Sequence, residues 1–156
     1  MTNRITYSII AVLLAAVAAM AWKFLVAGST LPADDGRVAI VLDPGERAFV
    51  LAEMRGFVAG LERISDALAR DDMKGVADAA RPLGAGRTHD VPMALMGKLP
   101  LEFKTLALAT HRSFDTLAAD AEAGGTPKQA LSQLAGTLQQ CVACHATYQF
   151  TTPKGV

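Results

Sequence analysis

From Ile5 to Trp22 the chain runs for 18 residues without a charged side chain, ITYSIIAVLLAAVAAMAW. As a helix this stretch is roughly 27 Å long, close to the ~30 Å of a bilayer's hydrocarbon core. Lys23 interrupts it, and Phe24, Leu25, Val26 and Ala27 continue it. A lysine near the end of a span can snorkel to the interface, and Trp22 suits the same depth. Arg4 precedes the run, so the positive-inside rule keeps the N-terminus cytoplasmic and sends the rest of the chain across. The rival reading is a cleaved signal peptide, because Ala19-Met20-Ala21 fits a small-x-small cleavage site. Lys23 just beyond that cut, and an apolar stretch that runs past it, favour the uncleaved anchor. Residues 1–28 are therefore expected to be a transmembrane anchor or signal segment. Either one exports the remaining residues, to the periplasmic side of a bacterial inner membrane or into the soluble periplasm.

The exported remainder of a 156-residue chain is one domain's worth of sequence. Fifteen basic and fifteen acidic side chains cancel, and no basic run occurs, which argues against nucleic-acid binding by phosphate neutralisation. Two cysteines are too few for a disulfide-stapled scaffold.

Residues 29–43 (STLPADDGRVAIVLD) read as a linker, within which VAIVL can extend or pack on the domain. Asp43-Pro44-Gly45-Glu46 is a helix start, with Asp as N-cap, Pro at the first helical position and Glu three residues after the cap. Val50, Met54, Phe57, Val58, Leu61, Ile64 and Leu68 then recur at steps of three and four, an amphipathic helix ending near Arg70. Asp71 or Asp72 can cap a shorter helix bearing Met73, Val76, Ala77 and Ala80. Residues 84–99 read as the longest loop. Pro100 opens a third helix with Phe103, Leu106, Ala107, Thr110, Phe114, Leu117 and Ala121 on one stripe, closed by Gly124-Gly125. Thr126-Pro127-Lys128-Gln129 caps a fourth, whose inner face is expected to carry Leu131, Leu134, Ala135, Leu138, Val142 and Tyr148. Nothing reads as a strand ladder. The predicted fold is all-α, an antiparallel four-helix bundle over residues 44–156 behind an N-terminal apolar helix.

Cys141-Val142-Ala143-Cys144-His145 is Cys-x-x-Cys-His, the attachment motif of a c-type haem. Positions i and i+3 share a helix face, so two sulfurs at this spacing can bond the vinyl-derived carbons on one porphyrin edge. His145 projects from the same face and can bind iron. A redox dithiol would need a thioredoxin-like βαβ context, which is missing. A structural zinc site needs four ligands, and His89 and His111 are distant and unpaired in spacing. A disulfide within this helical motif would be strained.

On these residues, 44–150 of the chain resemble the cytochrome c′ family, four-helix bundles with Cys-x-x-Cys-His in the last helix. CVACHATY is similar to the family's Cys-x-x-Cys-His-x-x-Tyr/Phe pattern. The resemblance implies one covalent haem c on Cys141 and Cys144, with His145 as proximal ligand. It also implies a choice between two behaviours. Either the iron is five-coordinate and binds NO or CO, or a methionine of the first helix ligates it and the protein carries electrons. Met54, followed by Arg55 in that helix, is the residue on which the choice turns. A thioether opposite histidine favours ferrous iron and raises the potential. Met93 and Met96, in the long loop, are rivals, and core filling is the ordinary role of such a methionine. The chain departs from the family at Gln149, where a basic residue often follows the aromatic (the first here is Lys154), and in having Trp22 as its only tryptophan.

Arg87 and Lys98 are candidate partners for haem propionates. His89, beside Asp90, and His111 are expected to face solvent, and Asp71, Asp72 and Asp78 to serve caps and solubility. The leading expectation is a membrane-anchored periplasmic electron carrier with His145/Met54 ligation and no enzymatic turnover, since no acid/base pair accompanies the motif. The alternatives are a gas-binding haem protein whose distal wall includes Val50, Phe57 and Val58, and a haem subunit of a larger respiratory complex. Redox proteins are the expected partners, and the first helix can supply a homodimer face.

Overall fold

Local signals decide where the helices begin. In a computed structural model of the chain, which describes residues 2–153 apart from the side chains at positions 2 and 87–89, α2 spans Pro44–Ala69 and follows the apolar helix α1, Thr2–Ala21. The Asp43 backbone N–H donates to Glu46 Oε2 at 2.8 Å, one half of the expected capping box. After α2 the chain reverses through Asp71, the one described non-glycine residue with positive φ (55°), and Asp72 caps α3, Met73–Ala80. Asp72 Oδ1 accepts from the Gly75 N–H at 2.8 Å, so of the two aspartates it is the second that caps. α5 spans Leu101–Glu122 and α6 spans Pro127–Thr147, where Thr126 Oγ1 accepts from the Gln129 N–H at 3.2 Å. Asp72→Ala and Thr126→Ala are each expected to cost about 1 kcal/mol in denaturant unfolding, the usual worth of an N-cap.

The chain is mostly helical. Helices α2, α3, α5 and α6 pack in sequence order, whereas α2 and α6 touch only sparsely. One core lies where α2, α3 and α5 meet and extends to α6, around Ile64, Val76, Phe114, Leu117 and Leu134. A second core lies at the end where α2 begins and α6 finishes, around Ile40, Leu42, Val50, Leu99, Phe103 and Tyr148.

That second core takes up VAIVL of the 29–43 stretch, which both extends and packs on the domain, and it corrects the expectation that no strand ladder forms. Thr30–Pro32 (β1) and Val38–Val41 (β2) form an antiparallel pair, and β2 pairs in parallel with β3, Tyr148–Thr151, in the register Val38↔Tyr148 and Ile40↔Phe150. Ile40 and Leu42 are fully buried, so VAIVL escapes water by roofing the end of the helices. Tyr148 consequently opens a strand and does not extend α6. A 3₁₀ turn, Arg81–Leu83, precedes the expected 84–99 loop, which itself holds a second, Ala85–Asp90, and then the single turn α4, Met93–Met96, which buries Leu95.

The apolar stripes shift too. On α6 the buried row is Ala130, Leu134 and Thr137, continued by the half-buried Cys141 and Cys144, while Leu131, Leu138 and Val142 are exposed. On α2 Val58 also faces outward. Each helix is apolar over a wide arc, and packing takes only one edge of it.

Residues Asn3–Ala27 are one continuous helix long and apolar enough to cross a membrane or to act as a signal, and none of its apolar window is buried. Its last turns, Trp22–Ala27, are π-helical and run directly into β1 through Gly28 and Ser29.

Candidate functional site

Helical spacing carries Cys141, Cys144 and His145 to the last two turns of α6, beside the end of the second core. Both thiols are free and half-buried. Burial pushes the Cys141 and Cys144 thiols up, and the neighbouring Cys141 adds to the effect at Cys144. A dithiol built for exchange has a lowered thiol pKa, so this pair is set up in the opposite sense.

A cavity of about 270 Å³ opens at this end, with Met54 and Leu51 of α2 on one side and Cys144 and His145 of α6 on the other. Phe103, Tyr148 and Phe150 complete an aromatic wall, with Phe103 edge-on to both neighbours at 5.4 and 5.6 Å. The Tyr148 hydroxyl donates to Glu102 Oε2 at 3.4 Å; burial and that carboxylate push its pKa up. A second, apolar cavity of about 300 Å³ lies behind, among Val50, Phe57, Leu95 and Leu99. Met54 and Phe103 line both cavities and stand between them. The void explains why Ala107 and Thr110, mid-stripe on α5, are only half-buried.

The methionines separate clearly. Met54 shares a cavity with His145, Met96 lines only the apolar cavity, and Met93 is 85% exposed. Among the residues expected to wall a gas pocket, Val50 and Phe57 line the apolar cavity, and Val58 turns away from it.

Two arginines not anticipated at the site stand at its mouth. Arg37 donates to the His145 carbonyl at 3.4 Å and to Gln149 Oε1 at 2.9 Å, while its Nε bonds Asp35 at 2.8 Å and holds that carboxyl below its usual range. Arg47 lines the same cavity from the first turn of α2. Arg47 was legible in principle, seven residues before Met54 and hence two turns along the same face. Arg37 was not, because only the β2–β3 pairing brings it there.

Lys98, expected near the propionates, is committed elsewhere. Its ammonium donates to Asp43 Oδ2 at 2.8 Å and Glu46 Oε2 at 2.6 Å, and both carboxylates raise its pKa. His111 is not a solvent-side residue either. Its Nδ1 lies 2.7 Å from the Leu83 carbonyl, and its ring packs 5.1 Å from Phe57. The expectations for Arg87, His89 and Lys154 fall outside the described residues. Among the described residues no three His, Cys, Asp or Glu side chains gather as a metal site would require.

Comparison with family models, with curated proteins and with solved structures finds no match to this chain.

Proposed function

We propose that this protein is a membrane-anchored c-type cytochrome that transfers single electrons on the periplasmic side of a bacterial inner membrane. The observation that carries the reading is the meeting of Cys144 and His145, from the Cys-x-x-Cys-His motif, with Met54 across one cavity. The four helices α2, α3, α5 and α6 are read as an antiparallel four-helix bundle similar to the cytochrome c′ family, left open between α2 and α6. A flat, apolar, two-carboxylate group fits that opening chemically. Exposed Leu138 precedes the motif on α6 and exposed Val142 lies within it, exposed Val58 lies one turn from Met54 on α2, and guanidinium groups stand at the cavity mouth.

When bound, haem c supplies a one-electron ferrous/ferric couple. Cys141 and Cys144 would hold it by thioether bonds. The His145 imidazole, whose backbone carbonyl accepts from Arg37, would ligate its iron. Met54 would offer a second ligand, a soft sulfur that favours the reduced iron. Arg47 would neutralise a propionate with a charge-assisted hydrogen bond, while Arg37 is already paired with Asp35. Phe103, Tyr148 and Phe150 exclude water, which limits reorganisation on electron transfer. Tethering raises the local concentration near a membrane partner without new contacts.

The second reading, a five-coordinate protein binding NO or CO, has an observation in its favour: the apolar cavity behind Met54 has room for a small neutral ligand. Optical spectra of the purified full chain, oxidised, reduced and reduced under CO, separate the two. A low-spin spectrum with the far-red sulfur-to-iron band, unaltered by CO, is the expected result. A high-spin spectrum that shifts at once with CO would replace the first reading by the second, and a colourless protein from a host competent in haem attachment would sink both. Co-purification with an oxidoreductase in mild detergent would mark the chain as a subunit of a respiratory complex.

A further inference from the structure

The membrane helix does not end in a loose tether. Lys104, on the first turns of α5, donates to the Phe24 and Leu25 carbonyls at 3.3 and 3.1 Å and to the Met96 carbonyl at 3.4 Å. It thereby caps the C-terminal carbonyls of the apolar helix with a cation, where a helix end favours one. The Ser29 N–H donates to the Lys98 carbonyl at 2.7 Å. Gly28 adopts φ +66°, and a Cβ there would strike the backbone of Lys98–Pro100. Phe24 lies against Gly97 closely enough that a side chain at Gly97 would crowd its ring. Four contacts from separate residues therefore fix the anchor's last turn to the 96–104 surface.

That surface carries apolar side chains with no covering. Leu101 is 48% exposed one turn before Lys104, on the same face of α5. Met93 is 85% exposed and lies four residues before Gly97, on the face of α4 that meets Phe24. Trp22, Phe24 and Leu25 of the anchor are exposed beside them. The apolar helix is 25 residues long. At 1.5 Å per residue such a helix exceeds the ~30 Å hydrocarbon core, which leaves its last turn at headgroup level.

Resting on the reading of Asn3–Ala27 as a membrane span, we infer that α4 and the first turn of α5 form a foot that lies on the lipid surface, with Met93 and Leu101 inserted beside the anchor. The occupant of this patch is the bilayer itself, because the patch is continuous with the span and locked to it by hydrogen bonds. Phe103 and Lys104 each line a cavity of the candidate site. The foot therefore holds the Met54–His145 opening at the membrane-proximal end of the domain, at a set tilt, where a membrane-embedded redox partner can reach it.

Trp22 is the chain's only tryptophan, which makes the test direct. The full-length protein is placed in vesicles of phosphatidylethanolamine and phosphatidylglycerol, with and without bromine on the upper acyl chain. Met93→Trp, Leu101→Trp and, as a control at the far end of α6, Leu131→Trp are each made in a Trp22→Phe background. The ratio of emission in brominated and plain vesicles is read, so constant quenching by a haem cancels. Loss of emission at positions 93 and 101 comparable to that of native Trp22, with none at 131, is the expected result. Quenching of Trp22 alone would overturn the foot and leave the anchor standing. Absence of quenching at Trp22 itself would overturn the membrane reading, and the foot with it.

Discussion

Met54→Ala is expected to convert low-spin iron to high-spin and to lower its midpoint potential, with covalent attachment at Cys141 and Cys144 intact. On the proposed ligation, removing the thioether removes the ligand that would favour ferrous iron. Axial ligation spans about 0.8 V across haem proteins, so a fall on the order of tenths of a volt is the scale to look for. The substitution also deletes one of the two side chains that separate the 270 and 300 Å³ cavities. CO should then bind the reduced variant quickly. Met54 is only half-buried, so the structural cost should fall at or below the low end of the ~2–5 kcal/mol seen for buried Met→Ala changes. Redox titration and the far-red absorption band read the outcome. Unchanged spin state and potential would remove Met54 from the coordination sphere and return Met96 to consideration.

Phe114→Ala is expected to destabilise the domain by about 3–5 kcal/mol, a large part of the ~5–15 kcal/mol a domain of this kind possesses. Phe114 is the largest of the fully buried side chains, and its ring stacks on Phe57 at 5.6 Å with a 21° tilt. It sits where α2, α3 and α5 converge, so no single helix can relax into the void without disturbing the other two. Phe57 in turn faces His111 and lines the apolar cavity beside Met54. Loss of Phe114 should therefore loosen the far side of that cavity as well as weaken the core. Denaturant unfolding of the full chain in detergent measures it. A cost below about 1 kcal/mol would mean that the core collapses around the gap, contrary to close packing at this junction.

The site was legible to different depths. Cys141, Cys144 and His145 stand out because the proposed attachment and ligation would need fixed spacing on one helix face, and Met54 because the α2 stripe predicts its side of the helix. Arg47 repeats the Met54 face and needed only the periodicity. Arg37 had no local sign, and Lys98 was misassigned because an exposed lysine carries no mark of the carboxylates, Asp43 and Glu46, that fold against it.

Residue order was enough for α2, α3, α5 and α6, for the caps at Asp43 and Thr126 and for the apolar N-terminal run, because hydrogen bonds between near neighbours and capping side chains act within one turn. It was enough, too, for the residue types that meet on α6. The three-stranded sheet needed the assembled fold, since β2 finds its parallel partner β3 at the opposite end of the chain and neither segment is stable unpaired. So did the choice of the buried edge of α6: Leu131, Leu138 and Val142 are as apolar as Leu134, and only the position of α5 selects between them. The join between anchor and domain belongs with these, because Lys104 reaches carbonyls that local sequence cannot place within its range. Short-range bonding is written residue by residue, whereas the choice among equally apolar faces belongs to the surfaces that compete for them.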